Sequence, residues 1–503
     1  MSATPTYELL LAEARQTVML RSIQGLLEWD ERTYMPVAAG SYRADQVAYL
    51  AGEIHRRQTS PRIGDWLAEL AGGPLANDPA SDTAVTIREL QREYDKKTRL
   101  PQSLVEELSR LSVLGQQSWS EARQANDFAG FAPMLNKTFE LKRQEAAALG
   151  YEATPYDPLL DDYEPGESTA NVARVLDALG AQLRPLIAEI AASPQRHDAS
   201  LLARDYPIAA QREFGKAAAA AIGFDFTAGR LDVTDHPFCA GAGPHDVRIT
   251  TRYRPDDFGD AFFSILHEAG HGLYEQGLPA EHYGLPLGVA ASLGIHESQS
   301  RMWENQVGRS RGFWTAMFPA AQRAFPQALS GASLEEFYQA INVVEPSLIR
   351  VDADEVTYNM HIFIRFELER ALLEGDLPVD DLPGAWREKY ASYLGITPAD
   401  DAQGVLQDVH WGAGLVGYFP TYALGNLYAA QFYAQAESDL GPLEPALARG
   451  EFAPLLEWLR QHLHRHGLRH SAAQLVERTT GAPLTPDAWI AQMRGKYGEL
   501  YGL

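Results

Sequence analysis

Along most of the chain apolar residues recur every three or four positions, the spacing of helices that bury one face. From residue 7 to about residue 151 this reads as helix after helix, interrupted at Met35-Pro36, at Gly72-Gly73-Pro74 and at Leu100-Pro101, where proline or glycine ends a run. Residues 156–166, closing on the turn pair Pro165-Gly166, read as a solvated acidic loop, because Asp157, Asp161, Asp162 and Glu164 lack the ligand order of a calcium loop. Helical spacing resumes over 168–222. After Gly241, Gly243 and Pro244 it gives way to an alternation of Val247, Ile249, Thr251 and Tyr253, which predicts one of the few strands, with a free edge for an extended peptide.

Further on, Asp352 and Asp354 precede apolar positions Val356, Ile362, Ile364 and Phe366, the pattern of another long helix. Residues 404–425 are rich in glycine and aromatics and predict a break that can line a pocket. Helices continue over 426–503, where His462, His464, His466 and His470 read as a surface face, and Trp29, Asp30, Tyr34 and Met35 read as a packed helix end without chemistry. The elements sum to a mainly α fold with a small sheet. A chain of 503 residues suffices for one large core or two joined lobes with a cleft between them.

Chemistry concentrates in residues 264–276, SILHEAGHGLYEQ. Asp256 and Asp257 after Pro255 signal a helix start, Phe258, Phe262, Leu266 and Leu273 supply an apolar face, and Gly277 with Pro279 ends the run. One helical turn apart, His267 and His271 share a face with Glu268 beside the first. Two neutral imidazoles and a neighbouring carboxylate are what a water-activating Zn²⁺ site needs. A catalytic zinc takes a third protein ligand. Glu275 lies on the same face, but eight residues of helix put it about 12 Å from His267, too far to converge on one ion. The metzincin continuation is excluded, since Tyr274 and Gly277 stand where Gly and His are needed. Glu297, on the next helical run, is the better donor, with His296 its rival; neighbouring helix residues point about 100° apart, so one of the two faces the ion.

Other polar residues have two readings each. Arg350 suits a bidentate grip on a carboxylate, or a helix-start salt bridge to Asp352 or Asp354. The predicted strand brings His236, Asp246, Arg248 and Arg252 near the site, and Arg248 serves equally well as a structural ion-pair partner. His410 or Tyr422 can donate to the oxyanion of a tetrahedral intermediate, or can simply pack at a helix junction.

Composition narrows the partners. A net charge of −24 argues against nucleic acid and anionic membranes. No uninterrupted apolar run reaches spanning length, and Glu8, Glu13 and Arg15 break up the N-terminal apolar stretch, so no signal-peptide core is expected there. The single cysteine, Cys239, forms no internal disulfide, and cytoplasmic residence is expected.

Taken together these runs resemble the carboxypeptidase Taq family of zinc carboxypeptidases, nearly end to end. Beside HEAGH the chain carries His236-Pro237-Phe238; Asp246, Arg248 and Thr250; Ile349-Arg350 followed by Ala353-Asp354; and Gly404, Gln407-Asp408 and His410-Trp411. The resemblance implies a two-lobed helical metallopeptidase with a deep cleft and a small sheet near the active-site helix. It implies one catalytic unit over 1–503, with the metal site in 264–301, and usually a homodimer. It also implies removal of single residues from the free C-terminus of peptides with broad preference, and Glu297 as third ligand. On this reading His267, His271 and Glu297 hold Zn²⁺, with Co²⁺ or Mn²⁺ also accepted, and Glu268 is the base. His410 and Tyr422 assist catalysis, while Arg350, His236 and Arg248 bind substrate. The alternatives are a metallo-endopeptidase or oligopeptidase of the same zinc class, and a peptide-binding protein whose metal is only structural.

Overall fold

The computed structural model describes residues 4–503. Twenty α-helices and one three-stranded sheet make up the regular structure among the described residues, so the fold is mainly α, as the apolar spacing predicts. Many helix starts are written locally: Ser168, Asp257, Ser292, Ser310, Ser333 and Ser471 each accept a hydrogen bond from the backbone N–H three residues on. Each such cap contributes about 1 kcal/mol. No helix among the described residues is long and apolar enough to cross a membrane.

The predicted strand forms as β3 (Val247–Thr251), two residues shorter than the alternation. Its edge is not free. β1 (Gly229–Val233) pairs with it in parallel and β2 (Cys239–Gly241) antiparallel, so β3 is central and the sheet's edges belong to β1 and β2. Both flanking strands escape the sequence pattern: β2 has three residues, one of them glycine, and β1 holds a buried Asp232 where alternation would want an apolar side chain. Tyr34 and Arg230 compensate that charge, at 2.5 Å and 2.6 Å.

The sheet and the motif helix (Phe258–Gly277) belong to one hydrophobic core that reaches from Ala122 to Tyr501. Phe258 and Phe262 stack at 5.1 Å, and Phe214, Trp314, Phe325 and Phe337 close around Phe258. Removing one of these rings would cost about 3–5 kcal/mol. Residues Tyr7, Leu10, Leu67, Leu70, Leu75 and Ile87 form a separate small core for the N-terminal helices. Trp29, near the end of the first helix, packs against the guanidinium groups of Arg230 and Arg248, 5.1 and 4.3 Å from its ring.

Two local readings need correction. The acidic segment 156–166 is not a solvated turn: Asp157 accepts from the Thr169 N–H at 2.8 Å, and Asp161 pairs with Arg92 and Lys96. Glu164 is fully buried and accepts from Ser292 Oγ (2.8 Å), Gly294 N (3.0 Å) and Tyr428 Oη (3.0 Å). It therefore caps the N-terminus of the donor helix (Leu293–Arg301) by accepting from the Gly294 N–H. Nor is His464 on a surface face. It is buried, contacts Gln299 Oε1 at 2.9 Å and lies against Tyr274 at 4.9 Å, because Gly277 offers no side chain to keep it out.

Candidate active site

The motif helix and the donor helix approach until a Cβ on Gly270 would lie 2.6 Å from the Gln299 carbonyl oxygen. From the other side the helix Pro420–Leu440 presents Gly425, where a Cβ would lie 2.6 Å from Glu297 Cγ. Two absent side chains thus let backbone press Glu297 toward the histidines. His267, His271 and Glu297 each offer one ligand atom, all within 4.8 Å of one another. Glu297 Oε2 stands 3.7 Å from His267 Nε2 and 3.4 Å from His271 Nε2.

Each of the three is held from behind. His267 Nδ1 meets Glu304 Oε2 at 2.8 Å, His271 Nδ1 meets His296 Nδ1 at 2.5 Å, and Arg301 Nε donates to Glu297 Oε1 at 2.9 Å. Arg301 also donates to Glu304 at 3.1 Å. Glu304 lies on a π-helical turn, Met302–Val307, that continues the donor helix; such turns recur at functional sites. The spacing of Glu297, Arg301 and Glu304 at i, i+4 and i+7 was the available sequence signal for this stripe.

Burial opposes ionisation of Glu297, but His267 and Arg301 outweigh it and hold the carboxyl well below the usual range. Burial likewise works against a charge on His267, yet Glu297 and Glu304 prevail and hold its imidazole up at about 9, whereas His271, with burial dominant, falls to about 3. Burial raises Glu268 to about 7. An ionised carboxylate and two oriented imidazoles, with one proton drawn into their midst, fit a divalent cation, which would displace that proton.

A second group stands next to the first. Arg350 donates through Nε and Nη2 to Asp408 Oδ1 (3.1 and 2.9 Å) and through Nη1 to Tyr358 Oη (2.8 Å), not to Asp352 or Asp354. Asp354 instead accepts from the Val356 and Thr357 N–H groups ahead of the helix Tyr358–Glu374. Arg365 Nε donates to the other oxygen of Asp408 at 2.6 Å. Burial opposes the Asp408 charge, but the two guanidinium groups hold the carboxyl far below its usual range. His410 Nε2 lies 3.2 Å from Tyr422 Oη, and Arg350 sits over the Tyr422 ring at 4.8 Å. Burial drops His410 to about 3, so its ring is neutral, and lifts the Tyr422 hydroxyl well above its ordinary value. Tyr358 joins the groups: Arg301 stacks on its ring at 4.4 Å while Arg350 holds its hydroxyl.

His236 is exposed, and Arg248 is engaged by Asp246 (2.8 and 2.9 Å) and Trp29; neither hydrogen-bonds to the two groups above among the described residues. Glu304, Arg301, Tyr358 and Arg365 were not singled out from the sequence.

A His–His–Glu group on two packed helices, beside a carboxyl poised near neutrality, is the build of a metallopeptidase. The family description Carboxypeptidase Taq (M32) metallopeptidase matches residues 9–497. Thermostable carboxypeptidase 1 of Thermus thermophilus is 49% identical over 512 residues, covering 100% of this chain and of that one. Carboxypeptidase 1 of Bacillus subtilis is 39% identical over 95% of both chains. Among solved structures, the carboxypeptidase of Deinococcus radiodurans superposes with a TM-score of 0.96 at 42% identity, over 99% of this chain and 100% of that one. The chain belongs to the carboxypeptidase Taq family and is a metallocarboxypeptidase.

Proposed function

We propose that the enzyme removes single amino acids from the free C-terminus of peptides, with broad preference, using Zn²⁺ held by His267, His271 and Glu297. The observation that carries the exopeptidase reading is the charge of the second group: Arg350 and Arg365 share the one carboxylate of Asp408, next to the metal ligands. The pair leaves one positive charge uncompensated, and a substrate's terminal carboxylate would balance it.

The bound ion supplies Lewis-acid polarisation of a carbonyl and a lowered pKa for water. Glu268, raised by burial to about 7, takes the proton of the attacking water and delivers it to the leaving amine. His410 or Tyr422 donates toward the oxyanion, Arg350 fixes the terminal carboxylate, and His236 and Arg248 contact the peptide on the sheet side. The residues act as one catalytic unit spanning 1–503, two lobes around a cleft.

Mass spectrometry of a peptide with a free C-terminus and its amidated twin, with metal-loaded and chelator-stripped protein, tests this. Stepwise loss from the free end alone, abolished by the chelator, is expected. Internal cuts in both peptides would instead assign an endopeptidase. Cytoplasmic residence is proposed from the acidic composition and the single cysteine. We also propose a homodimer, supported by the apolar surface of the two N-terminal helices, where Met19, Tyr42 and Tyr49 are 61%, 71% and 76% exposed.

A further inference from the structure

His271 differs from His267 in how its outer nitrogen is held. His267 meets a carboxylate directly, whereas His271 meets another imidazole, His296, whose own Nε2 lies 2.8 Å from Glu275 Oε1. Both nitrogens of His296 are therefore used, one on His271 and one on Glu275. That removes His296 from the competition for the ion and gives it a different task.

The polarity of the chain follows from its end groups. A carboxylate oxygen accepts, so the tautomer that suits the 2.8 Å contact carries the His296 proton on Nε2, toward Glu275. His296 Nδ1 is then an acceptor at 2.5 Å from His271 Nδ1, which matches a His271 that ligates through Nε2 and carries its proton on Nδ1. The lone pair of His271 is thereby left on Nε2, the nitrogen that faces Glu297 Oε2 at 3.4 Å. We infer that Glu275 is a positioning residue: acting through His296, it sets the tautomer and ring orientation of His271 from one helical turn beyond the metal site. This rests on the reading of His267, His271 and Glu297 as the metal ligands.

The surroundings are built for the task. Tyr274 packs against the rings of both His296 and His464, at 5.2 and 4.9 Å, and His464 is in turn held by Gln299. His296 therefore has little freedom to turn. Gly241 on β2 leaves room for Glu275, since a Cβ there would come within 3.1 Å of Glu275 Oε2. On its outer side Glu275 opens onto a cavity of about 280 Å³, shared with Tyr283 and Arg460. The chain of hydrogen bonds thus runs from the ligand to a partly exposed carboxylate.

The test is zinc affinity by competition with a chromogenic chelator, with the melting temperature of the stripped proteins as the control for folding. Glu275→Ala and His296→Phe are each expected to weaken binding by about 10–100-fold while the stripped proteins melt as the parent does. The double variant is expected to be no weaker than His296→Phe, because Glu275 acts only through His296. His296→Gln is expected to recover most of the loss, its amide oxygen accepting from His271 and its NH₂ donating to Glu275. The visible spectrum of the Co²⁺ form should change in Glu275→Ala and return to the parent's in His296→Gln. Affinity within about twofold of the parent in Glu275→Ala, or a further loss in the double variant, would overturn the relay. A parent chain that binds no zinc would overturn it by removing the metal reading itself; a parent that binds zinc while the variants equal it would overturn the relay alone.

Discussion

At the scale of single residues, the site separates holding from reacting. Glu268 makes no hydrogen bond to His267, His271 or Glu297 among the described residues, and burial is the largest cause of its high proton affinity. Glu268→Gln should therefore bind zinc as the parent does but lose about 10²–10⁴-fold in turnover, measured as kcat beside metal content. Near-parental kcat would remove it as the base. Arg350 is argued from geometry of the opposite kind, a fork already closed on Asp408 with charge to spare. Arg350→Lys keeps the charge and loses the fork, and kcat/KM on free-ended peptides should fall about thirtyfold, equivalent to about 2 kcal/mol. The amidated twin should be unaffected, so the preference for a free end shrinks. Arg248, spent on Asp246 and Trp29, has no such surplus.

At the scale of elements, the helices that carry the proposed ligands are pinned by groups far off in sequence. Glu164, 130 residues before Gly294, is raised by burial to about 7 although three donors oppose the shift. Its folded value lies above the unfolded one, near 4.5, so the folded chain binds more protons between those values. The stability contributed by its neutral form is complete below about 4.5 and is lost as pH rises through about 7, a difference of about 3 kcal/mol. Denaturant unfolding of the parent and Glu164→Gln at pH 5 and pH 8 checks this: the parent should lose more stability toward pH 8 than the variant. Equal slopes would mean that Glu164 is already ionised at pH 5. This group also marks where reading the chain stops. The motif helix was legible because its cap, apolar face and end lie within about 25 residues of sequence, and His267, His271 and Glu297 lie on the two helices that the local spacing predicts. The burial of Glu164 and His464, the central place of β3 and the Arg350–Asp408 pair depend on which distant segments meet, and no local period encodes that.

At the scale of the whole molecule, a large shared core holds the two helices of the His–His–Glu group, while the N-terminal helices rely on a small core of their own. The first two helices, Pro5–Thr33 and Gly40–Gln58, bury few side chains and leave Met19, Tyr42 and Tyr49 outward. If a second copy covers them, replacing Tyr42 and Tyr49 by Lys should convert a dimer into a monomer in sedimentation analysis without lowering the melting temperature by more than a few degrees. A parent that sediments as a monomer would refute the dimer. The ring of Tyr358 has a larger consequence. The Tyr358 hydroxyl accepts from the arginine proposed to receive the peptide's end, and its ring packs under the arginine that donates to Glu297. On the proposed reading, a peptide that seats its carboxylate at Arg350 would draw on the same tyrosine that packs against Arg301, which couples recognition to rate. Capping a substrate's end should then slow the bound complex as well as loosen it, and the enzyme would tell a chain's end from its middle by how fast it reacts.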